Sequence, residues 1–300
     1  MSAVSTPLRL ESHVAEVGGI PIRRALPTAR RRLIGPWCFL DHIGPSALSA
    51  AGLRVPPHPH IGLQTFTWMM EGELFHRDSL GSEQRIRPGQ VNLMTAGRGI
   101  AHSEESPAGH NGRLHGAQLW IALPEAERHC APAFQHVPAL PQFGVGDARG
   151  TVLAGAHADL RAPVDTRSPL IALDLVLPAG SAIALALDAS FEHGILAMQG
   201  QVRAGGEALA PGALLYFPPG ATTLALASTV DSRVLLVGGP PFGEEVLLWW
   251  NFVARQRPEI IQATEDWNAG RGDFGVVRGF DGVPLVAPAT PWAVPANPAS

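Results

Sequence analysis

Two short segments that place donor side chains at alternate positions constrain this fold more than any other feature. One segment carries His58 and His60, and the other carries His102 and Glu104. Both segments read as β-strands, in which alternate residues point to the same face. If the two strands lie close together inside a barrel, the four side chains converge on one point.

Three neutral nitrogens and one carboxylate suit a borderline divalent metal and leave positions open for substrate or dioxygen. A single H-x-H pair is weak support, because the chain has 12 histidines and such pairs are more often solvated; two pairs together favour a metal site. The glycines at 97 and 99 fit a tight turn that delivers the second strand. A dinucleotide-binding loop is rejected, because His102 replaces the third glycine of G-x-G-x-x-G and no βαβ pattern surrounds it.

Short apolar or alternating runs bounded by glycine or proline recur along the chain and predict an all-β antiparallel sandwich or barrel. A length of 300 residues allows one large or two medium domains. The Pro/Gly-rich stretch 132–150 is the predicted linker. We therefore expect an N-terminal metal-binding barrel over 1–140, a C-terminal barrel over 141–290 and a loosely ordered tail over 291–300.

The second half repeats the first. The alignment pairs Gly72 with Gly200 and Gly97 with Gly220. It sets the four candidate ligands, in chain order, opposite Ala186, Asp188, Ala225 and Ala227. The second barrel is therefore predicted to keep the fold without the metal ligands.

The remaining composition excludes several classes of protein. The formal net charge is −4 and no basic stripe exists, so direct nucleic-acid binding is not expected. We see no secretory signal, no apolar run of membrane-spanning length and too few cysteines for a disulfide framework. These features predict a cytoplasmic protein without membrane contact.

Two elements near the C-terminus have distinct patterns. Residues 258–267 are predicted to form a helix, with proline at its start and glycine past its end. Its packing face would contain Ile260, Ala263, Thr264 and Trp267. The apolar run 246–253 is either a buried strand or a domain-contact element, because periodicity cannot decide between them.

Together, these motifs resemble those of the pirin family, whose members are bicupin proteins of the cupin superfamily. The resemblance spans about residues 34–274 and rests on matching stretches at 31–36, 39–45, 58–60, 71–73, 76–81, 94–104 and 114–120. It implies two antiparallel β-barrels of the cupin (jelly-roll) type packed face to face, with a short C-terminal helix. It also implies one metal ion, usually iron, in the N-terminal barrel.

Carried over position by position, the implied metal ligands are His58, His60, His102 and Glu104. Fe²⁺ is the expected ion, and Ni²⁺, Mn²⁺, Cu²⁺ and Zn²⁺ stay open. Where the general cupin pattern has a glutamate after H-x-H, this chain has Gln64, which weakens any proposal that position 64 acts as a base. Ile61 replaces a basic residue of many relatives, and we expect it to make the cavity mouth less positive.

The resemblance implies a metal-dependent dioxygenase that opens a flavonol such as quercetin with dioxygen and releases carbon monoxide. Glu104 is the candidate general base for the flavonol hydroxyl. Phe66, Trp68 and Phe75 are candidate walls for a flat substrate, although each also fits ordinary strand core.

Two residues and two functions stay open at this stage. His76 and Arg77 could reach the cavity entrance, or His76 could form a surface salt bridge with Asp78. Instead of an enzyme, the chain could be a metal-binding regulator that acts through a protein partner without turnover, or a barrel that holds metal structurally.

Overall fold

The computed structural model describes residues 7–292, and nearly all of their regular structure is β-strand. The strands form two seven-stranded sheets, two four-stranded sheets and two hairpins, with antiparallel pairing. The predicted all-β class is confirmed.

The first twelve strands, in chain order, are β1 (Leu8–Glu11), β2 (His13–Val17), β3 (Ile20–Leu26), β4 (Trp37–Ala47), β5 (Arg54–His60), β6 (Leu63–Glu71), β7 (Leu74–Asp78), β8 (Glu83–Ile86), β9 (Val91–Thr95), β10 (Ile100–Glu105), β11 (Arg113–Ala122) and β12 (Ala133–Val137). The following strands are β13 (Gln142–Val145), β14 (Ala148–Ala154), β15 (Ala156–His157), β16 (Leu160–Arg161), β17 (Ile171–Leu177), β18 (Ala182–Ala186), β19 (Glu192–Gln199), β20 (Val202–Ala204), β21 (Glu207–Leu209), β22 (Ala213–Phe217), β23 (Thr223–Ser228), β24 (Ser232–Gly239), β25 (Leu247–Trp249) and β26 (Phe252–Ala254). Helix α1 (Arg257–Asn268) follows them.

Each half of the molecule has one large and one small sheet. In the first half the orders are β12-β9-β6-β11-β4-β3-β2 and β5-β10-β7-β8. In the second half they are β1-β22-β19-β24-β17-β14-β13 and β18-β23-β20-β21. The central strand β6 is buried along most of its length, because both of its faces are covered, whereas β18 alternates buried and exposed residues.

Each half has an apolar core of its own, and a further core joins the two halves. One lies between the facing sheets of the first half and includes Ile43 and Leu74. Another lies between the sheets of the second half. The third joins the halves through Trp37, Phe66 and Leu214, and the Trp37 indole N–H donates to the Gly238 carbonyl oxygen at 3.1 Å. The halves therefore pack face to face, as predicted.

Both ends of the chain cross between the halves. β1 pairs with β22, so it occupies in the second large sheet the place that β12 has in the first. Conversely, β26 bonds to the first half, where the Val253 N–H donates to the Ile61 carbonyl oxygen at 3.1 Å. The apolar run 246–253 is thus a strand hairpin that also makes the contact between halves. The domain limits of 1–140 and 141–290 stay a prediction.

Helix α1 begins and ends within one residue of the predicted 258–267. The Glu259 carboxylate accepts the Gln256 backbone N–H at 2.8 Å, which satisfies one of the donors left unpaired at a helix start. Ile260, Ala263 and Thr264 are buried, and the Trp267 indole N–H donates to the Leu285 carbonyl oxygen at 2.7 Å. Within residues 7–292, no helix combines the length and apolarity needed to cross a membrane. The predicted tail falls mostly on residues 293–300, which lie outside the described residues.

The internal repeat is confirmed at its anchors and corrected at its ligand strands. Thr65 faces Met94 across β6 and β9, and the aligned His193 faces Phe217 across β19 and β22. His58, however, faces His102, whereas Ala225 faces Ala184 rather than Ala186. Ala184, Ala186 and Ala225 are exposed, whereas His58 and His102 are buried. The expected equivalence of these alanines with the ligands is therefore wrong, and the inward-facing positions of β18 carry Ile183 and Leu185.

Candidate metal centre

Adjacent strands β5 and β10 bring three imidazoles together. His58 faces His102 in the antiparallel register, and His60 lies two residues further along β5. Nε2 of His60 and Nε2 of His102 are 3.1 Å apart, and the rings of His58 and His102 have centroids separated by 4.4 Å. All three side chains are buried. The convergence expected from the spacing is present for the histidines.

The hydrogen bonds of two of these rings fix which nitrogen is free. Nδ1 of His58 donates to the Pro56 carbonyl oxygen at 2.8 Å, and Nδ1 of His60 donates to the Asn251 carbonyl oxygen at 3.0 Å. Nε2 of each ring then carries a lone pair. Such a bond to the outer nitrogen is the usual support of a metal-binding imidazole.

Burial keeps these imidazoles neutral. It lowers the pKa of His58 to about 4, and it lowers the pKa values of His60 and His102 well below the usual range, with the neighbouring histidines adding to the effect. Neutral rings at neutral pH are what metal ligation requires.

Glu104 lies two residues after His102 on β10 and lines the same cavity as the three histidines. Within residues 7–292, potential donor atoms within 4.8 Å of one another form two groups, one of His58, His60 and His102 and one of His76, His102 and Glu104. His102 belongs to both. The β5–β10 register shifts between residues 102 and 104 and sets Glu104 opposite Val55. On its other side, β10 pairs regularly with β7, and Glu104 lies opposite His76. Burial raises the pKa of Glu104, although His76 and Thr67 oppose that rise.

His76 is a site residue that the sequence reasoning placed wrongly. It is buried, and its Nδ1 lies 3.3 Å from Nδ1 of His102. Its Nε2 bonds to the Asp78 carboxylate at 3.1 Å, so the expected pairing with Asp78 is present. Both side chains are buried, so the pair lies neither at the surface nor at the cavity entrance. The sequence feature that could have identified His76 was the H-x-D spacing on β7, the strand that pairs with β10.

Asp78 fixes the orientation of His76 from behind. Its carboxylate accepts the backbone N–H groups of Leu80 and Ser82, both at 2.9 Å. Burial alone would raise the pKa of Asp78, but the hydrogen bonds from His76 and Ser82 hold it below the usual range. The carboxylate is therefore ionised and holds the His76 ring in place.

These donors fit a divalent metal. Nε2 of His60 and Nε2 of His102 approach to 3.1 Å, and the His60 nitrogen has no proton to donate because its ring proton is on Nδ1. A cation between the rings satisfies both, and an imidazole–carboxylate set of this kind suits iron or a similar borderline ion. A divalent metal site fits the described residues.

The three histidines lie at the end of a cavity of about 420 Å³. Its aromatic walls are Phe39 and Trp120, which stack with centroids 3.9 Å apart, together with Trp250. Arg24 covers the Phe39 ring at 4.4 Å and pairs with Asp41 through two bonds of 2.8 Å. The cavity therefore combines a flat apolar surface with charged groups.

None of the three candidate wall residues lines the cavity, and the alternative of ordinary strand core is correct for Phe66 and Trp68. Phe66 and Trp68 lie on the opposite face of β6, in the core between the halves. Phe75 lies outside the cavity under the Arg77 guanidinium, 4.3 Å from the ring centroid. The sequence shows that aromatic residues alternate on β6, but not which face of the sheet borders the cavity.

Positions 61 and 64 also point away from the cavity. Ile61 packs beside Phe252 in a cluster with α1, so its predicted effect on the charge of the mouth is wrong. The Gln64 amide N–H group donates to the Thr95 hydroxyl at 2.9 Å and to the Asp165 carbonyl oxygen at 3.0 Å. A base at position 64 would thus be remote from the histidines, as the doubt about that position anticipated.

A hairpin from the second half closes the cavity. Its turn contains Trp250, whose φ of 50° is left-handed, and Asn251, whose carbonyl oxygen orients His60. Non-glycine residues in this conformation are strained and concentrate at functional sites. Gly62 permits the close approach, because a Cβ there would overlap the Val253 carbonyl oxygen.

Comparison with known proteins agrees with this architecture. Family models for pirin and for the pirin C-terminal cupin domain match residues 19–121 and 172–273. The chain belongs to the pirin family. The hairpin and α1 of this pirin fall in the second match although they pack on the first half.

Several relatives cover almost the whole pirin chain. A Pseudomonas aeruginosa protein named provisionally as a quercetin 2,3-dioxygenase is 49% identical, over 96% of this chain and 92% of its own. A pirin-like protein of Caulobacter vibrioides is 39% identical, over 85% and 91%. A crystal structure of quercetin 2,3-dioxygenase from Acinetobacter baumannii has a TM-score of 0.93 and 43% identity, over 96% and 97%. The two-domain cupin fold is thereby confirmed.

Proposed function

We propose that this pirin is a metal-dependent dioxygenase that opens a flavonol such as quercetin with dioxygen and releases carbon monoxide. The observation that carries the proposal is a trio of neutral, buried imidazoles at the end of an aromatic-walled cavity. The names of the similar Pseudomonas and Acinetobacter proteins support the same substrate class.

We further propose that the ligands are His58, His60, His102 and Glu104 and that the native ion is Fe²⁺. When bound, the ion supplies Lewis acidity, which lowers the pKa of a hydroxyl group beside it. The three imidazoles would hold the ion through Nε2 of His58, of His60 and of His102. Glu104 completes the set with an oxygen donor from the β7 side.

Glu104 is the proposed general base for the flavonol 3-hydroxyl. Because burial raises its pKa, it holds a proton more readily than an exposed carboxylate does. His76 lies opposite Glu104 and is held in place by Asp78. The His76 ring stabilises the negative charge of the Glu104 carboxylate before the proton is transferred. The chain thus provides a positioned acceptor for that proton.

The cavity walls orient the flat substrate and exclude water. Phe39 and Trp120 present stacked ring faces, and Trp250 lines the cavity from the hairpin turn. A dry site strengthens the electrostatic interactions between the substrate and the ligand shell. The regulator hypothesis from the sequence needs no such substrate-sized cavity.

The first test is the metal content and turnover of His102→Ala. We expect metal occupancy to fall sharply from about one ion per chain, because one of the proposed ligands is lost. The control, His129→Ala, changes an exposed histidine and should keep its metal. Elemental analysis gives the occupancy. Unchanged occupancy in His102→Ala would remove His102 from the ligand set.

The second test is Glu104→Gln, assayed by quercetin loss and carbon monoxide release under oxygen. The substitution keeps the side-chain size but removes the base, so turnover should fall by about 10²–10⁴-fold. Undiminished turnover would refute the proposed role. Wild-type protein with metal but without turnover would instead favour the regulator. The predicted cytoplasmic location and lack of nucleic-acid contact stay predictions.

A further inference from the structure

The second half contains a cavity of its own. Its volume is about 620 Å³, and its lining includes residues of β17, β18 and β24. These strands occupy the places that β4, β5 and β11 have in the first half, and those three strands line the first cavity. Ile183 and Leu185 of β18 belong to the core and do not line this cavity, so it lies beside the positions that correspond to the metal ligands.

Two buried polar groups in this lining have no partner. They are Nδ1 of His193 and Oγ of Ser168, and the two residues are only 1% and 9% exposed. Buried polar atoms are normally hydrogen-bonded, because leaving one unpaired costs free energy. Two such atoms from separate elements around one cavity indicate that a bound molecule supplies their partners.

The loop that carries Ser168 is held firmly from the first half. The Gln64 side-chain oxygen accepts the Arg167 backbone N–H at 3.1 Å, and the Gln64 amide N–H group donates to the Asp165 carbonyl oxygen at 3.0 Å. The Asp165 N–H in turn donates to the Gln135 side chain at 3.0 Å. The loop is thus preformed, which lowers the entropy cost of binding.

A strained turn adjoins this cavity as well. Within residues 7–292, the non-glycine residues with positive φ are Trp250 and Ala158. Trp250 lines the first cavity. Ala158 forms the turn of the β15–β16 hairpin, whose His157 and Arg161 line the second. Strain of this kind persists where surrounding structure enforces it, and it concentrates at ligand sites.

The charges of the lining favour a neutral ligand. Three carboxylates, from Glu127, Asp165 and Asp188, accompany the guanidinium groups of Arg161 and Arg167. An anion therefore gains no net attraction. Among the described residues of this half, no three potential metal donors come together, so a cation site is not formed.

The unpartnered atoms and the floor define the ligand more closely. Burial lowers the pKa of His193 to about 4, so its ring is neutral and offers one donor and one acceptor. A ligand hydroxyl can pair with both the imidazole and the Ser168 hydroxyl. Leu173 and Leu236 supply an apolar floor, and Phe191 adds an aromatic ring. An aromatic hydroxyl compound matches these surfaces.

We propose that the cavity of the second half binds a neutral phenol through His193 and Ser168. The site is separate from the metal centre and needs no metal. It gives this pirin a second small-molecule site on the counterpart strands of the first.

The test is a titration of the full-length, metal-loaded protein with 4-fluorophenol, followed by fluorine NMR. Ser168→Ala should weaken one class of binding by about five-fold, the usual effect of losing one hydrogen bond, and His193→Leu should weaken the same class. Ser46→Ala, a control on β4 outside this lining, should leave it unchanged. Circular dichroism and metal content check that each variant is folded.

Three results would overturn the proposal. One is identical phenol binding by Ser168→Ala, His193→Leu and wild type, which would assign all binding to the first half. Another is tighter Ser168-dependent binding of 4-fluorobenzoate than of 4-fluorophenol, which would make the ligand an anion. The last is an absence of phenol binding, which would leave water as the partner of both atoms.

Discussion

Gly62 lies where the hairpin of the second half packs beside β5, the strand of the proposed ligands His58 and His60, so Gly62→Ala tests the link between them. The residue has φ of 69°, and a Cβ there would overlap the Val253 carbonyl oxygen. A left-handed alanine costs about 1–2 kcal/mol. Moving the hairpin to make room costs about 1–3 kcal/mol more, as overpacking usually does.

The matched control is Gly109→Ala. Gly109 has φ of 76° but nothing within 4 Å of the added Cβ, so it should lose only the conformational part, about 1–2 kcal/mol. Denaturant unfolding in the presence of a chelator measures both variants without metal.

Displacement of the hairpin by Gly62→Ala should also weaken metal binding. The Asn251 carbonyl oxygen accepts the Nδ1–H of His60 at 3.0 Å. Asn251 lies in the hairpin turn that Gly62→Ala would displace. Loss of such an orienting bond typically weakens metal binding by about 10–100-fold. A metal titration would therefore show weaker binding for Gly62→Ala and unchanged binding for Gly109→Ala. If the two variants match in both stability and metal affinity, the hairpin does not orient His60.

Two further predictions concern buried titratable groups. Nε2 atoms of His42 and His115 lie 3.0 Å apart, and burial lowers the pKa of His42 to about 3 and that of His115 to about 4. The unfolded chain takes up protons below pH 6.5 and the folded chain does not, so stability is full above that pH and falls as the pH drops toward 4, by up to about 1.4 kcal/mol per pH unit for each imidazole. Denaturant unfolding of metal-free protein across this range should show a shallower slope for His42→Asn than for wild type, and equal slopes would contradict the assignment. Burial raises the pKa of Cys38 to about 12, so a thiol reagent should label the half-buried Cys130 in the folded protein and Cys38 only after unfolding; rapid labelling of both would show that Cys38 is accessible.

The sequence predicted the elements that depend on local periodicity. Alternation placed His58 and His60 on one face of β5, where His58 faces His102 of β10, and the proline and glycine signals located α1 to within one residue. The repeat was visible because Gly72 and Gly200 mark equivalent turns. These features need only short-range geometry.

The errors came from long-range geometry. Which face of β6 borders the cavity depends on how the halves pack, so the sequence left Phe66 and Trp68 open between cavity wall and strand core. Trp250 and Asn251 lie far along the chain from His60, and nothing local in their sequence places them at the site. His76 was missed because its partner strand was unknown until the order of the small sheet was established.

The crossing of the two chain ends has a consequence for how the molecule loses its structure. β1 belongs to the sheet of the second half, and the β25–β26 hairpin closes the cavity of the first. Severing the chain near residue 140 would strip each fragment of an edge strand or a lid that the other fragment carries. Unfolding of either half would therefore expose sheet edges and apolar surface on the other. This coupling makes the two halves unfold in one cooperative transition.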